Sequence, residues 1–327
     1  MTFFQSLAGW FRPAPPPSPQ VQKALERVAT LIDPLMRSAP GFEKKLAKPL
    51  AQALEYCDGL VAGLPGPIDI DRQSFASDPM VHAFFATADD IARTLGENRA
   101  VREYLTSGDS WDSEFLFAML GARRQMKKTL GMAMEGGMVR SDVPVEYLYF
   151  SDHTVTAPGA TLEASREGLR QAGLDSLLKS FRWHLNALRN ERQALRDDRD
   201  LERDRINVLR SSPADAELVA HTRRLDELDN RLRKIADLLQ PEQLVDALAD
   251  FLATPATALR LEPLSVKVDR SGIVTNDDGI GVESLEFCQI IGRDRRRQVA
   301  FLARMRREDA VQAVEEAKEL RQRYLMI

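Results

Sequence analysis

The sequence predicts an α+β fold, predominantly α-helical, with a small antiparallel or mixed sheet and an inserted antiparallel coiled-coil hairpin. Three observations predict it. Apolar residues repeat in heptad columns from Leu174 to Leu239, strand-like segments lie on both sides of that stretch, and helical periodicity fills the first third of the chain.

The chain opens on an aromatic segment. Phe3, Phe4, Leu7, Trp10 and Phe11 fall near helical spacing, and a proline-rich run from Pro13 to Pro19 separates them from the body. Aromatic residues favour interfaces, so this segment is a candidate contact for a partner groove or a membrane surface. Residues 1–19 are read as this segment and its linker. Residues 20–128 are read as a helical region. Val21, Leu25, Val28, Ile32 and Leu35 form one face, with Pro34 expected to end or kink it, and Phe42, Leu46, Leu50, Leu54, Cys57 and Val61 form the next, with Pro49 a conflict inside it. Asp78-Pro79 starts a further helix, others follow around 91–95 and 101–105, and a last one is expected from Asp112 to about Lys128. His82, beside two phenylalanines, is expected to be a partly buried structural histidine.

The pattern changes at Thr129. Segments 130–134, 138–140, 145–150 and 154–156 read as short strands, with a turn at Asp152-His153. Segments 258–268, 273–275, 284–291 and 298–305 read likewise, followed by a terminal helix from about Asp309. Residues 129–160 and 255–327 are therefore assigned to one β-containing domain, with 161–254 as a helical insertion. An antiparallel hairpin returns the chain to where it left, so the two strand groups are expected in one sheet or in adjoining sheets.

Within the insertion, Leu174, Phe181, Leu188, Leu195, Glu202 and Leu209 share one column, and Leu178, Leu185, Arg192, Arg199 and Ile206 the other. After Ser212-Pro213, Leu218, Leu225, Leu232 and Leu239 form one column, and His221, Leu228 and Ile235 its companion. Folding about that turn places Leu195 opposite Leu228 and Glu202 opposite His221.

The 327 residues, 44% hydrophobic and 29% charged, describe a soluble globular protein with room for one or two domains. A net charge of −4 argues against a dedicated nucleic-acid binder. Cys57 and Cys288 fit neither a disulfide framework nor a four-ligand zinc site, so a reducing, cytoplasmic setting is expected, with the inner membrane surface as a peripheral alternative. No apolar run approaches the roughly 20 residues needed to cross a bilayer.

Chemistry-bearing motifs are sparse. Asn276-Asp277-Asp278-Gly279 has the wrong offset for a calcium loop, phosphate-binding glycine loops are absent, and Asp152 and His153 have no nucleophile elbow to serve. No catalytic residue, cofactor or metal is assigned. Two basic clusters remain. Arg123, Arg124, Lys127 and Lys128 are read as closing a helix, where positive charge suits the dipole. Arg293, Arg295, Arg296 and Arg297 crowd a hairpin turn and are candidates for phosphate or an acidic partner, although no interleaved aromatic platform accompanies them. The reading is a noncatalytic interaction or scaffolding protein presenting a coiled-coil arm. Its expected partner is a protein or a second copy; the alternatives are a membrane surface met through the aromatic segment and, less favoured, nucleic acid met through the arginine turn.

Overall fold

The computed structural model describes residues 17–108, 112–135, 138–210, 215–269, 272–276, 281–292 and 297–325. It is a helix-rich α+β protein with a curled, largely antiparallel sheet. The chain divides into two compact units, Met1–Ala53 with Leu177–Thr254, and Leu54–Ser176 with Pro255–Ile327.

The first unit is helical. Helix α1 (Pro19–Leu31) starts where Ser18 accepts from Val21 N, and Pro19 supplies the preset φ of a first turn. A 3-10 turn (Pro34–Ser38) follows, and α2 (Phe42–Ala62) begins in this unit and continues into the other. Pro49 remains inside α2, which is unbroken. Burial of Leu46, Leu50, Ala53 and Leu54 on one face outweighs the proline's cost of about 3 kcal/mol. Helix α7 (Leu162–Leu209) enters from the second unit, and α8 (Asp215–Leu238) and α9 (Pro241–Ala253) complete the first. Leu178, Leu185, Val245, Leu248 and Leu252 are buried, and Phe181 and Phe251 are 5.6 Å apart.

The second unit is built on the sheet. Its strands are β1 (Ile68–Asp69), β2 (Phe115–Glu135), β3 (Met138–Gly159), β4 (Leu259–Asp269), β5 (Val282–Gly292) and β6 (Arg297–Arg306). Their order is β3-β2-β6-β5-β4, with β1 parallel to β6. Strands from both sides of the 161–254 stretch thus share one sheet, as expected. One face packs on α3 (Arg72–Ser77), α4 (Pro79–Phe84), α5 (Ala88–Glu97), α6 (Arg99–Thr106) and α10 (Arg307–Leu325). Its core combines Leu116, Leu120, Phe150, Phe287 and Phe301 with Val81, Phe84, Ile91 and Ala310. The other face meets the end of α2 and the start of α7 through Met119, Ala300, Leu302, Val61, Leu64 and Leu169.

Four expectations are corrected. Residues from Phe115 to Lys128 are strand rather than helix. Leu116, Ala118, Leu120 and Ala122 alternate as buried residues, but Phe117 and Met119 on the opposite face are half-covered as well, and this double coverage hid the period of two. The several short strands between 129 and 156 belong to one hairpin of 21- and 22-residue strands. Asp152-His153 is a bulge inside β3 rather than a turn, with Asp152 at φ 54°. Finally, His82 is exposed, its ring 4.9 Å from Phe75.

All three register shifts of the hairpin put the extra residue on β3, opposite Ala118, Ala122 and Met132 of β2. Bulges bend the strand that carries them, so β3 curls. The curl brings its border to that of β4, where Gly272–Thr275 bridges them. Leu148 N donates to Gly272 O (3.0 Å) and Val274 N to Glu146 O (2.8 Å) on one side. On the other, Asp269 N donates to Ile273 O (2.9 Å) and Thr275 N to Lys267 O (3.1 Å). Pro263 lies mid-strand in β4, paired with Cys288 of β5 and outside the stretch that the Gly272–Thr275 bridge reaches, so its missing N–H is tolerated.

Candidate functional site

Of the residues singled out from sequence, Phe3, Phe4, Leu7, Trp10, Phe11, Arg293, Arg295 and Arg296 lie outside the described residues. Arg297 opens β6, its backbone paired with Ile291 of β5. The other basic cluster is placed differently from its expected helix end. Arg123, Arg124, Lys127 and Lys128 stand on β2, where side chains alternate between faces.

That alternation sorts them. Arg124 opposes Phe150 and Lys128 opposes Glu146, on the face that carries buried Leu148 and Phe150; Lys128 Nζ lies 3.0 Å from Glu146. Arg123, Gln125 and Lys127 stand on the outer face, opposite Ser151, Tyr149 and Tyr147. Helices α2 and α7 cover this outer face as far as Met119, and exposure begins at Arg123. A hydrogen-bonded chain orders it. Tyr149 OH donates to Gln125 Oε1 (2.7 Å), and Gln125 Nε2 donates to Ser151 Oγ (2.6 Å). Ile273 pairs with Tyr147 from the bridging segment. Sequence reading missed this constellation because it exists only in the register of the two strands.

In the first unit, α7 and α8 touch at defined places. Leu195, Leu228 and Ile235 form a small buried cluster joined by Leu232 and Leu239, and Arg231 reaches Glu191 at 3.1 Å. From Leu185 to Ile206 the shielded positions of α7 are those of the two heptad columns, apart from half-buried Arg189, which pairs with Asp33. Glu202, 2% exposed, lies among them. His221 Nδ1 donates to Glu202 Oε2 at 2.6 Å, Arg205 lies 2.8 Å from Oε1 and Arg224 3.5 Å. The His221 hydrogen bond, helped by the arginines, holds the Glu202 carboxyl below the usual range. Outside the seam, Trp183, Leu201, Val208, Val219 and Leu238 are exposed.

A cavity of about 210 Å³ in the second unit is almost wholly apolar, lined by Val61, Leu64, Met119, Leu169, Leu261 and Ile290, with Cys57 on its wall. Burial, then the neighbouring Asp58, pushes the Cys57 thiol up to about 12. Near pH 8 its thiolate fraction is about one in ten thousand, too small for a nucleophile. Cys57 is accordingly expected to resist iodoacetamide in the folded protein and to react fully after denaturation, as read by intact mass. Alkylation at the rate of an unfolded cysteine would contradict this assignment. The His153 ring stacks on Phe85 at 5.1 Å and its Nε2 lies 2.7 Å from Phe84 O, which occupies it structurally. Among the described residues, no group of three or more His, Cys, Asp or Glu could hold a metal ion, and no helix is long and apolar enough to cross a membrane. No family model, curated protein or solved structure matches the chain.

Proposed function

We propose that the protein is a noncatalytic interaction or scaffolding protein, and that α7 and α8 form an antiparallel coiled-coil hairpin whose outer positions dock a protein partner or a second copy. The supporting observation is apolar exposure outside the seam. Leu201 and Val208 are seven residues apart on one side of α7, and Val208 is 73% exposed. A two-helix seam needs only its inner columns to be apolar, so these outer residues serve no purpose within the pair. Five of the ten large apolar side chains exposed among the described residues lie on these two helices, Trp183, Leu201, Val208, Val219 and Leu238. That concentration favours a contact surface over scattered surface variation.

The test substitutes the outer positions without touching the seam. Leu201→Lys/Val208→Lys in the full chain is expected to keep its helix content and melting temperature. It should lose the assembly, or the captured partner, that the unmodified chain retains, as measured by light scattering after size exclusion and by affinity capture. Identical mass and identical capture would refute the reading.

A further inference from the structure

We propose that the outer face of the β2–β3 hairpin binds single-stranded nucleic acid, with bases stacking on Tyr147 and Tyr149 and phosphates pairing with Lys127 and Arg123. Each component is placed by the strand register, which sets Lys127 opposite Tyr147, Gln125 opposite Tyr149 and Arg123 opposite Ser151. Directly opposed side chains on one face have Cβ atoms about 5 Å apart, so cations and rings interleave on one surface. As a helix end, this cluster would have had no aromatic neighbours; as a strand it has two.

The surface is preorganised. Tyr149 is 42% exposed, yet its hydroxyl is held by Gln125, and Gln125 in turn by Ser151. The ring therefore offers a face to a ligand with little rotamer freedom left to lose. Tyr147 and Tyr149 stand two residues apart, about 6.8 Å along the strand. This is twice the 3.4 Å rise per base of a stacked strand, so the rings suit bases splayed apart rather than a continuous stack. Splayed bases are a property of single strands, and stacking on an aromatic face tolerates any sequence. Asp152, exposed beside Ser151, weakens but does not remove the phosphate contact at the Arg123 end, so Lys127 carries the stronger of the two. An acidic peptide would satisfy Lys127 but would leave both rings without a partner.

The experiment is fluorescence anisotropy of the full chain with a short labelled oligothymidylate over a range of salt, with polyglutamate as competitor. Saturable binding is expected, with log K falling against log salt at a slope of about −1.4 for two phosphate contacts. Tyr149→Ala and Tyr149→Leu should each weaken it by about tenfold, whereas Tyr149→Phe retains the ring and the affinity. Lys127→Gln should make the slope shallower by about 0.7. Lys128→Gln, on the opposite face and equally conservative, should leave the slope unchanged. The proposal is overturned by absence of saturable binding, or by unweakened binding in both Tyr149 variants with an intact circular-dichroism spectrum. It is equally overturned by Lys127→Gln and Lys128→Gln behaving alike, or by polyglutamate displacing the oligonucleotide as efficiently as unlabelled oligothymidylate, which would indicate an acidic protein ligand instead.

Discussion

Gly96→Ala is expected to destabilise the protein by about 2 kcal/mol or more. A Cβ at Gly96 of α5 would stand 2.2 Å from the carbonyl oxygen of Ala313 in α10 and 2.9 Å from Ala317 Cβ. The first is backbone and cannot swing aside, so the two helices would have to separate over the core they share through Ile91, Leu95, Ala310 and Ala313. Helix propensity alone predicts the opposite sign, a gain of about 1 kcal/mol. Gly59→Ala in α2 supplies the control, because a Cβ there meets nothing within 4 Å. Urea unfolding should show Gly96→Ala less stable and Gly59→Ala equal to or more stable than the unmodified chain. Two variants shifted in the same direction would sink the close-packing argument.

The second large effect concerns Glu202. His221→Leu removes the donor to a buried carboxylate and is expected to cost about 2 kcal/mol, the scale of a hydrogen bond to a charged group. Arg205 and Arg224 remain but are half-exposed or more, so they compensate only in part. Glu202→Leu/His221→Leu, which removes both partners, should be neutral or stabilising, since a buried ion pair gains little over well-packed apolar side chains. The pH dependence has a definite sign. The folded-state value of Glu202 is lowered, so its contribution is complete above the ordinary carboxylate value of about 4.3 and is lost as pH falls through the lowered one. Thermal unfolding followed from neutral pH to strong acid should show the unmodified chain losing its margin over His221→Leu in that acid range. Parallel profiles for the two proteins would show that the carboxylate contributes nothing to the acid limb.

Much of the fold could be read from the residues, and what could not has identifiable causes. Helix starts at Asp78-Pro79 and Pro241 were visible because capping and proline chemistry act within one turn. Strands β4, β5 and β6 and helix α10 were visible from local apolar pattern and turn residues. From Leu185 to Ile206 on α7, and along α8, the shielded positions are column positions apart from Arg189, Asp229 and Ala236, because the periodicity runs through many turns. The first half of β2 was not visible, since Phe117 and Met119 are covered on the face opposite Leu116 and Leu120 and so erase the alternation. Residue parity along β3 failed at Asp152, where the inserted residue allows Phe150 and Val155, five apart, to face the same core. Nor could the tyrosine face be anticipated. Lys127 and Tyr147 are separated by 20 positions, and nothing local to either one announces the other.

The bridge formed by Gly272–Thr275 has a consequence for the life of the protein in concentrated solution. An ordinary sheet ends in two rows of unsatisfied amide and carbonyl groups, which template the addition of foreign strands and the growth of fibrils. Here a four-residue strip occupies stretches of both rows at once, at Glu146 and Leu148 on one margin and Lys267 and Asp269 on the other. Its value is colloidal: a chain cut at Gly272 is expected to bare both margins together and to aggregate faster than the intact chain, as turbidity would record.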